Sequence, residues 1–225
     1  IQVDGNYYYA EGGGKLVTNK SYWITKSNDL LTVGTYRFDA EGKIIMTTEL
    51  VNENGTLYYY QNGLRTGNAG MMLIDGSYYY IGSGAKAAVS QSVWVSKTNG
   101  HFTAGTFRFG ADGKLIMTTE VVNENGTLYY YKNGRRTASA GLVKFNGDYY
   151  HIDGGAKAQR DVTIWVSNTN GFFPAGSYYF GADGKMVIYN GVVNGYYYVD
   201  GIKTSAGLIQ VDGNYYYAEG GGKLV

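Results

Sequence analysis

Cysteine is absent from the 225 residues, and proline occurs once. Without thiols the chain has no disulfide staple, thiolate zinc site or cysteine nucleophile. Excess charge is also lacking: 19 basic and 18 acidic side chains leave a net charge of +1. That balance supplies no general field for nucleic acid or an anionic membrane. No apolar run approaches the roughly 20 residues of a membrane helix, so no membrane insertion is expected. The start, Ile1-Gln2-Val3-Asp4, has neither the basic region nor the apolar stretch of an export signal. A sustained 3.6-residue apolar period is missing too, which predicts essentially no helix. What is plentiful is glycine, 35 residues, and tyrosine, 25 residues.

The abundance is organised by repetition, and repeats decide architecture before local motifs do. Trp23, Trp94 and Trp165 lie 71 residues apart, within Tyr22–Ser27, Val93–Thr98 and Ile164–Thr169. The triplets Tyr7–Tyr9 and Tyr78–Tyr80 keep the same step, and the third copy reads Tyr149-Tyr150-His151. The third module is five residues shorter, four of them lost where Glu49–Leu57 and Glu120–Leu128 contract to Gly191–Gly195. Residues 1–17 then return unchanged as residues 209–225, giving a longer period of 208. The expected organisation is module 1 at 1–70, module 2 at 71–141, a shortened module 3 at 142–207, and the start of a further unit at 208–225. The chain reads as a window on a longer array.

Each module divides into hairpins. Ile1-Gln2-Val3, Asp4-Gly5 and Asn6-Tyr7-Tyr8-Tyr9 form a strand, a two-residue turn and a strand. Asp-Gly and Asn-Gly fit there because a type I′ turn needs positive φ at both central residues. Asp75-Gly76, Asn146-Gly147, Asn194-Gly195 and Asp212-Gly213 repeat the signal. A second hairpin runs from each tryptophan strand to Thr35–Phe38, Thr106–Phe109 or Ser177–Phe180; a third ends in Tyr58–Tyr60, Tyr129–Tyr131 or Tyr196–Tyr198. Single hairpins are marginal in water, so they must bury surface on one another. The expected fold is all-β: a β-solenoid of about ten stacked hairpins, three per 71-residue module. In each triplet the outer tyrosines face one way and the middle one the other. Their rings bury area while the hydroxyls reach water or backbone.

Val3-Asp4-Gly5-Asn6-Tyr7-Tyr8-Tyr9, Ile74–Tyr80 and Phe145–Tyr150, each followed by glycines and a lysine, resemble the cell-wall-binding repeats of Gram-positive surface proteins. That family includes choline-binding repeats, glucan-binding repeats of glucosyltransferases and the repetitive C-terminal region of clostridial glucosylating toxins. The resemblance covers nearly the whole chain. It implies stacked hairpins, an extracellular or cell-surface location, and non-catalytic binding of glycans or choline-bearing wall polymer. One longer hairpin per cycle is similar to the toxin region, where sugar sites lie beside the long repeats. One departure matters. Choline-binding repeats open on Gly-Trp, whose indole helps build an aromatic cage for the quaternary ammonium. Here the dipeptides are Gly70-Met71, Gly141-Leu142 and Gly207-Leu208, which argues against choline.

Catalytic and metal chemistry find little support. His101 and His151 occupy non-equivalent places and read as exposed drift. Gly12-Gly13-Gly14-Lys15 lacks the spacing and the Ser/Thr of a phosphate loop. Glu49 with Glu53, and Glu120 with Glu124, have the composition of glycosidase carboxylate pairs. The third module lacks both, so they read as a solvated loop edge. Asn52–Gly55 and Ala111–Gly113 are too poor in carboxylates for an EF-hand loop. No enzyme, metal or cofactor is expected.

The tryptophans allow two readings. Apolar residues flank each on both sides, so the favoured expectation is that the indole fills the core of the long hairpin. In the alternative the indole forms a platform for a sugar's apolar face. The candidate glycan-binding residues are then Trp23, Tyr36 and Asn28; Trp94, Phe107 and Asn99; and Trp165, Tyr178 and Asn170. The expected function is a non-catalytic extracellular domain that anchors or displays its parent protein through wall or surface glycans. The alternative is a structural fibre or stalk of tandem 208-residue units. Head-to-tail self-association is expected in either case, because a cut array leaves stackable faces at its ends.

Overall fold

Left-handed backbone at paired turn residues starts the fold. In a computed structural model describing residues 1–26, 29–188 and 190–225, Asp75-Gly76 has φ of 47° and 74°, and Asn146-Gly147 has 49° and 90°. Those are the type I′ values that match the twist of the flanking strands. The turns close the hairpins Gly70–Ile74/Ser77–Ile81 and Gly141–Phe145/Asp148–Ile152, paired in register from end to end. Two compact units, Ile1–Ile116 and Met117–Val225, hold all the described residues.

The first unit opens with the short pair Gln2–Val3/Asn6–Tyr7. Next comes a five-stranded antiparallel sheet in the order Lys20–Ile24, Gly34–Phe38, Leu64–Arg65, Thr56–Gln61, Glu49–Glu53. The sequence reads the tryptophan and triplet hairpins as separate, but here they merge. Their link is the two-residue strand Leu64–Arg65. The turn at Asn62-Gly63 folds it back so that Leu64 pairs with Tyr36 and Arg65 with Tyr60. The second unit repeats this sheet with Val162–Val166, Gly176–Phe180, Ile202–Lys203, Tyr196–Val199 and Gly191–Val193. In the middle copy, Gln91–Val95/Gly105–Phe109 belongs to the first unit and Glu120–Glu124/Thr127–Lys132/Arg135–Arg136 to the second. Among the described residues no sheet closes on itself, and the helical content is two 3-10 turns, Ser83–Ala85 and Gly220–Gly222. The fold is all-β.

Neighbouring hairpins are stitched by a few backbone bonds. Ile44 N–H donates to the Tyr7 carbonyl at 2.8 Å, Ala87 to Leu57 at 2.9 Å and Leu115 to Tyr78 at 2.7 Å. Met186 to Tyr149 and Leu224 to Gly195 repeat the pattern in the second unit, at 2.7 and 2.9 Å. Side chains then fill the space between hairpins. Val17, Ile24, Tyr36, Phe38 and Ile44 form one core with Tyr7, Tyr9 and Tyr22 against it. Leu142, Val166, Tyr178, Phe180 and Met186 form its counterpart in the second unit. Strand alternation is plain in Gly34–Phe38 and Gly176–Phe180, where every second residue is buried. Two buried tyrosines have satisfied hydroxyls: Tyr36 donates to the Thr32 carbonyl at 2.8 Å and Tyr178 to Pro174 at 2.5 Å. Burial raises the pKa of both phenols, so they remain neutral donors.

Candidate functional site

The register fixes what each tryptophan can do. Trp23 pairs with Thr35, and Tyr22 with Tyr36. Because side chains alternate, Trp23 shares a face with Ser21, Thr35 and Arg37, opposite Tyr22, Tyr36 and Phe38. The core face is buried, and the indole is turned away from it. Trp23, Trp94 and Trp165 are 57%, 65% and 68% exposed, which overturns the expectation that they fill the core. Apolar flanks misled because Ile24, Val95 and Val166, on the opposite face, are the residues that seal it.

The other candidate residues separate from the indoles. Tyr36, Phe107 and Tyr178 are buried on the core face, so none of them shares a surface with its tryptophan. Asn99 Nδ2 donates to the carbonyls of Ala69 and Met71 at 2.7 and 2.8 Å. Asn170 Nδ2 does the same to Ala140 and Leu142 at 2.7 and 2.8 Å. Both asparagines brace the long tryptophan loop against the preceding hairpin. Asn28 lies outside the described residues.

Around Trp23 the same sheet face carries Glu49 and Glu53, which sequence reading set aside as a loop edge, and residues it did not single out. The Glu53 carboxylate accepts Ser21 Oγ at 2.6 Å and Tyr60 Oη at 2.7 Å, and it pairs with Arg65. The Arg65 guanidinium lies over the Tyr58 ring, 3.9 Å from its centroid. Arg37 pairs with Glu49 at 2.7 Å. These glutamates belong to a strand and are not the solvated loop edge the Asn-Gly turn suggested. Burial alone would raise the Glu53 pKa, but bonds from Ser21 and Tyr60 and the Arg65 charge outweigh it and hold the pKa low. In the second unit Glu124, Tyr131, Arg136 and Tyr129 repeat the arrangement: Tyr131 Oη donates to Glu124 at 2.7 Å, and Arg136 lies 3.7 Å from the Tyr129 centroid. The shortened third module has no such acid. There Thr163 Oγ1 meets Tyr198 Oη at 2.7 Å, and the Lys203 ammonium sits 2.8 Å from the Tyr196 centroid. The signal was legible in principle, since Glu53, Tyr60 and Arg65 share one alternation class across three strands.

His151 is also not the exposed substitution expected of drift. It is half-buried against Phe180, with ring centroids 6.0 Å apart, and its Nδ1 is buried without a hydrogen-bond partner. Burial lowers its pKa, and nearby Asp153 only partly opposes that. Among the described residues no cluster of His, Asp and Glu is arranged to hold a metal ion.

No family model matches the chain. Glucosyltransferase-S of Streptococcus mutans is 26% identical over 204 residues, covering 85% of this chain, and the match spans 13% of that enzyme's length. Among solved structures, the choline-binding domain of CbpL from Streptococcus pneumoniae superposes with a TM-score of 0.56 at 22% identity, covering 92% of this chain and 96% of that one. The modular autolysin LytC from the same species gives 0.51 at 16% identity, covering 98% of this chain and 52% of that one. These likenesses are a shared fold with a choline-binding domain and a modular autolysin of Streptococcus pneumoniae and a sequence likeness to a Streptococcus mutans glucosyltransferase, consistent with the choline- and glucan-binding repeats that the tyrosine hairpins resemble.

Proposed function

We propose that this chain is a non-catalytic, cell-surface repeat domain that binds wall or surface glycans and so anchors or displays its parent protein. Its hairpins stack as a solenoid, in modules at 1–70, 71–141 and 142–207 with a further unit beginning at 208. The observation that carries the reading is the recurrence, once per module, of an indole more than half exposed. An indole face suits the apolar side of a sugar ring, and holding it out of the core serves no packing purpose. Polar neighbours support it, with Ser21 and Arg37 on the Trp23 face. Non-catalysis is supported by the carboxylates, which are held in ion pairs with Arg37 and Arg65. A glycan fits better than choline: where a choline repeat places its cage tryptophan, Met71 and Leu142 are fully buried in the core. The likeness to streptococcal surface proteins supports the extracellular setting, and no described helix is long and apolar enough to cross a membrane.

The test is substitution of Trp23, Trp94 and Trp165 by alanine, singly and together, with binding to wall polysaccharide and dextran read by affinity electrophoresis. Each single change should weaken binding several-fold and the triple should abolish it. Each should move unfolding by less than about 1 kcal/mol, as for other exposed sites. Undiminished binding by the triple variant would overturn the reading. A second reading, the structural stalk with end-to-end association, is favoured by the near-identity of successive modules, as in Val51–Tyr60 and Val122–Tyr131. It gains if wild type binds no polysaccharide at all.

A further inference from the structure

The three tryptophan sites differ in what lies beside the indole. Next to Trp165 is an open recess of about 220 Å³, lined by Ser139, His151, Asp153, Ser167 and Asn168. It has room for several waters, and so for one sugar ring to settle beside the indole. Two substitutions distinguish it from the copy before. His151 stands where module 2 has Tyr80, and Asn168 where it has Lys97. The Tyr80 ring lies against Phe109, and the Lys97 ammonium reaches back to the Asn68 carbonyl at 2.8 Å. Asn68 is the counterpart of Ser139, so Lys97 spans the place where module 3 is open. A shorter side chain at each position clears the space beside the indole.

The cleared wall is also chemically different. His151 presents an imidazole kept neutral at pH 7 by burial, with one nitrogen a donor and the other an acceptor. Its Nδ1 is shielded from solvent, so the remaining, accessible edge of the ring is what a molecule in the recess meets. The Asp153 carboxylate is already engaged, accepting the N–H groups of Gly155 and Lys157 at 2.8 and 2.9 Å and Gln159 Nε2 at 2.9 Å. It shapes the wall and leaves binding to the neutral groups. An apolar indole plate, two hydroxyls and a neutral imidazole around one ring's volume suit an uncharged pyranose.

We infer that the recess beside Trp165 is a single-sugar site, distinct from the open indole faces of Trp23 and Trp94, and that His151 and Asn168 create it. This rests on the glycan reading and assigns module 3 a specificity of its own. The experiment follows the three indole N–H signals by NMR while glucose, N-acetylglucosamine and soluble dextran are titrated into the whole chain. The Trp165 signal should respond to at least one monosaccharide, with Trp23 and Trp94 responding only to dextran. The variant His151→Tyr with Asn168→Lys installs the residues module 2 already folds with, and it should weaken the monosaccharide response at Trp165 at least tenfold. Tyr80→His with Lys97→Asn should confer that response on Trp94. If the Trp165 response survives the filled variant, or never differs from the other two, the single-sugar site is wrong while glycan binding stands. If no indole responds to any probe, both fail.

Discussion

Residues 1–17 and 209–225 have the same sequence and different surroundings. In the first copy Tyr7 and Tyr9 pack on the core of Tyr36, Phe38 and Ile44, and Val17 is 1% exposed. In the second the equivalents Tyr215, Tyr217 and Val225 are 70%, 52% and 66% exposed. The opposite edge reverses the pattern. Ile1, Val3 and Ala10 are exposed, whereas Ile209 and Val211 are half-covered and Ala218 is buried. One amino-acid sequence therefore holds two latent apolar faces. The tryptophan hairpin that follows covers one, and the triplet hairpin that precedes covers the other, through the Tyr196–Lys223 bridge and the Leu224–Gly195 bond. Burial here is a property of neighbours, as nearest-neighbour stacking requires.

The strongest way to break the comparison is to remove the neighbour's contribution. Phe38 belongs to the core against which Tyr7 and Tyr9 pack. Phe38→Ala should cost about 3–5 kcal/mol in urea unfolding, as buried aromatic truncations do. Amide exchange in residues 6–10 should rise towards that of residues 214–218. If those rates stay apart, the first copy owes its order to something other than its neighbour. A smaller effect sharpens the contrast without touching the neighbour. Val17→Ala should cost about 1–3 kcal/mol for lost methyls in a closed site, and Val225→Ala should stay within about 0.5 kcal/mol. Equal costs for the two would contradict the assignment of covered and open faces.

How far the sequence carried depends on range. Turn chemistry was legible because Asp75-Gly76 and its relatives act within four residues, and the hairpins appeared where those pairs placed them. Merger of hairpins into five-stranded sheets was not legible: Leu64–Arg65 and Ile202–Lys203 are two residues long, too short to show alternation. The tryptophans failed for a related reason. Val93-Trp94-Val95 is apolar on both faces, and only pairing with the patterned strand Gly105–Phe109 shows that Val95 is inward and Trp94 outward. The recess beside Trp165 was hidden further, since it depends on what Lys97 spans in the sister module. Residue types at 151 and 168 were visible; the space they leave was not.

The polar face obeys the same neighbour rule, with a smaller effect and a pH signature. Ser21 comes from the tryptophan hairpin, whereas Glu53, Tyr60 and Arg65 come from the triplet hairpin and its return strand. Together they hold the Glu53 pKa below its ordinary value of 4.5. A carboxyl more acidic in the folded chain than in the unfolded one contributes stability that is complete above the unfolded pKa. That contribution is lost as pH falls through the folded pKa. Glu53→Gln keeps the shape and an acceptor for Ser21 and Tyr60 but removes the charge that Arg65 pairs with. It should cost about 1–2 kcal/mol at pH 7, the low end for hydrogen bonds to a charged group because water partly screens the pair. The gap between variant and wild type should narrow below pH 4.5, as the wild-type carboxyl takes up its proton. In module 3 the equivalent strand stops at Val193, before the acid's position, and Lys203 rests on Tyr196, so Lys203→Met should show no such acid-dependent gap. Urea unfolding at pH 3, 4, 5 and 7 separates the cases. A Glu53→Gln penalty that stays constant across that range would mean the ion pair contributes nothing and that the substitution acts through packing alone.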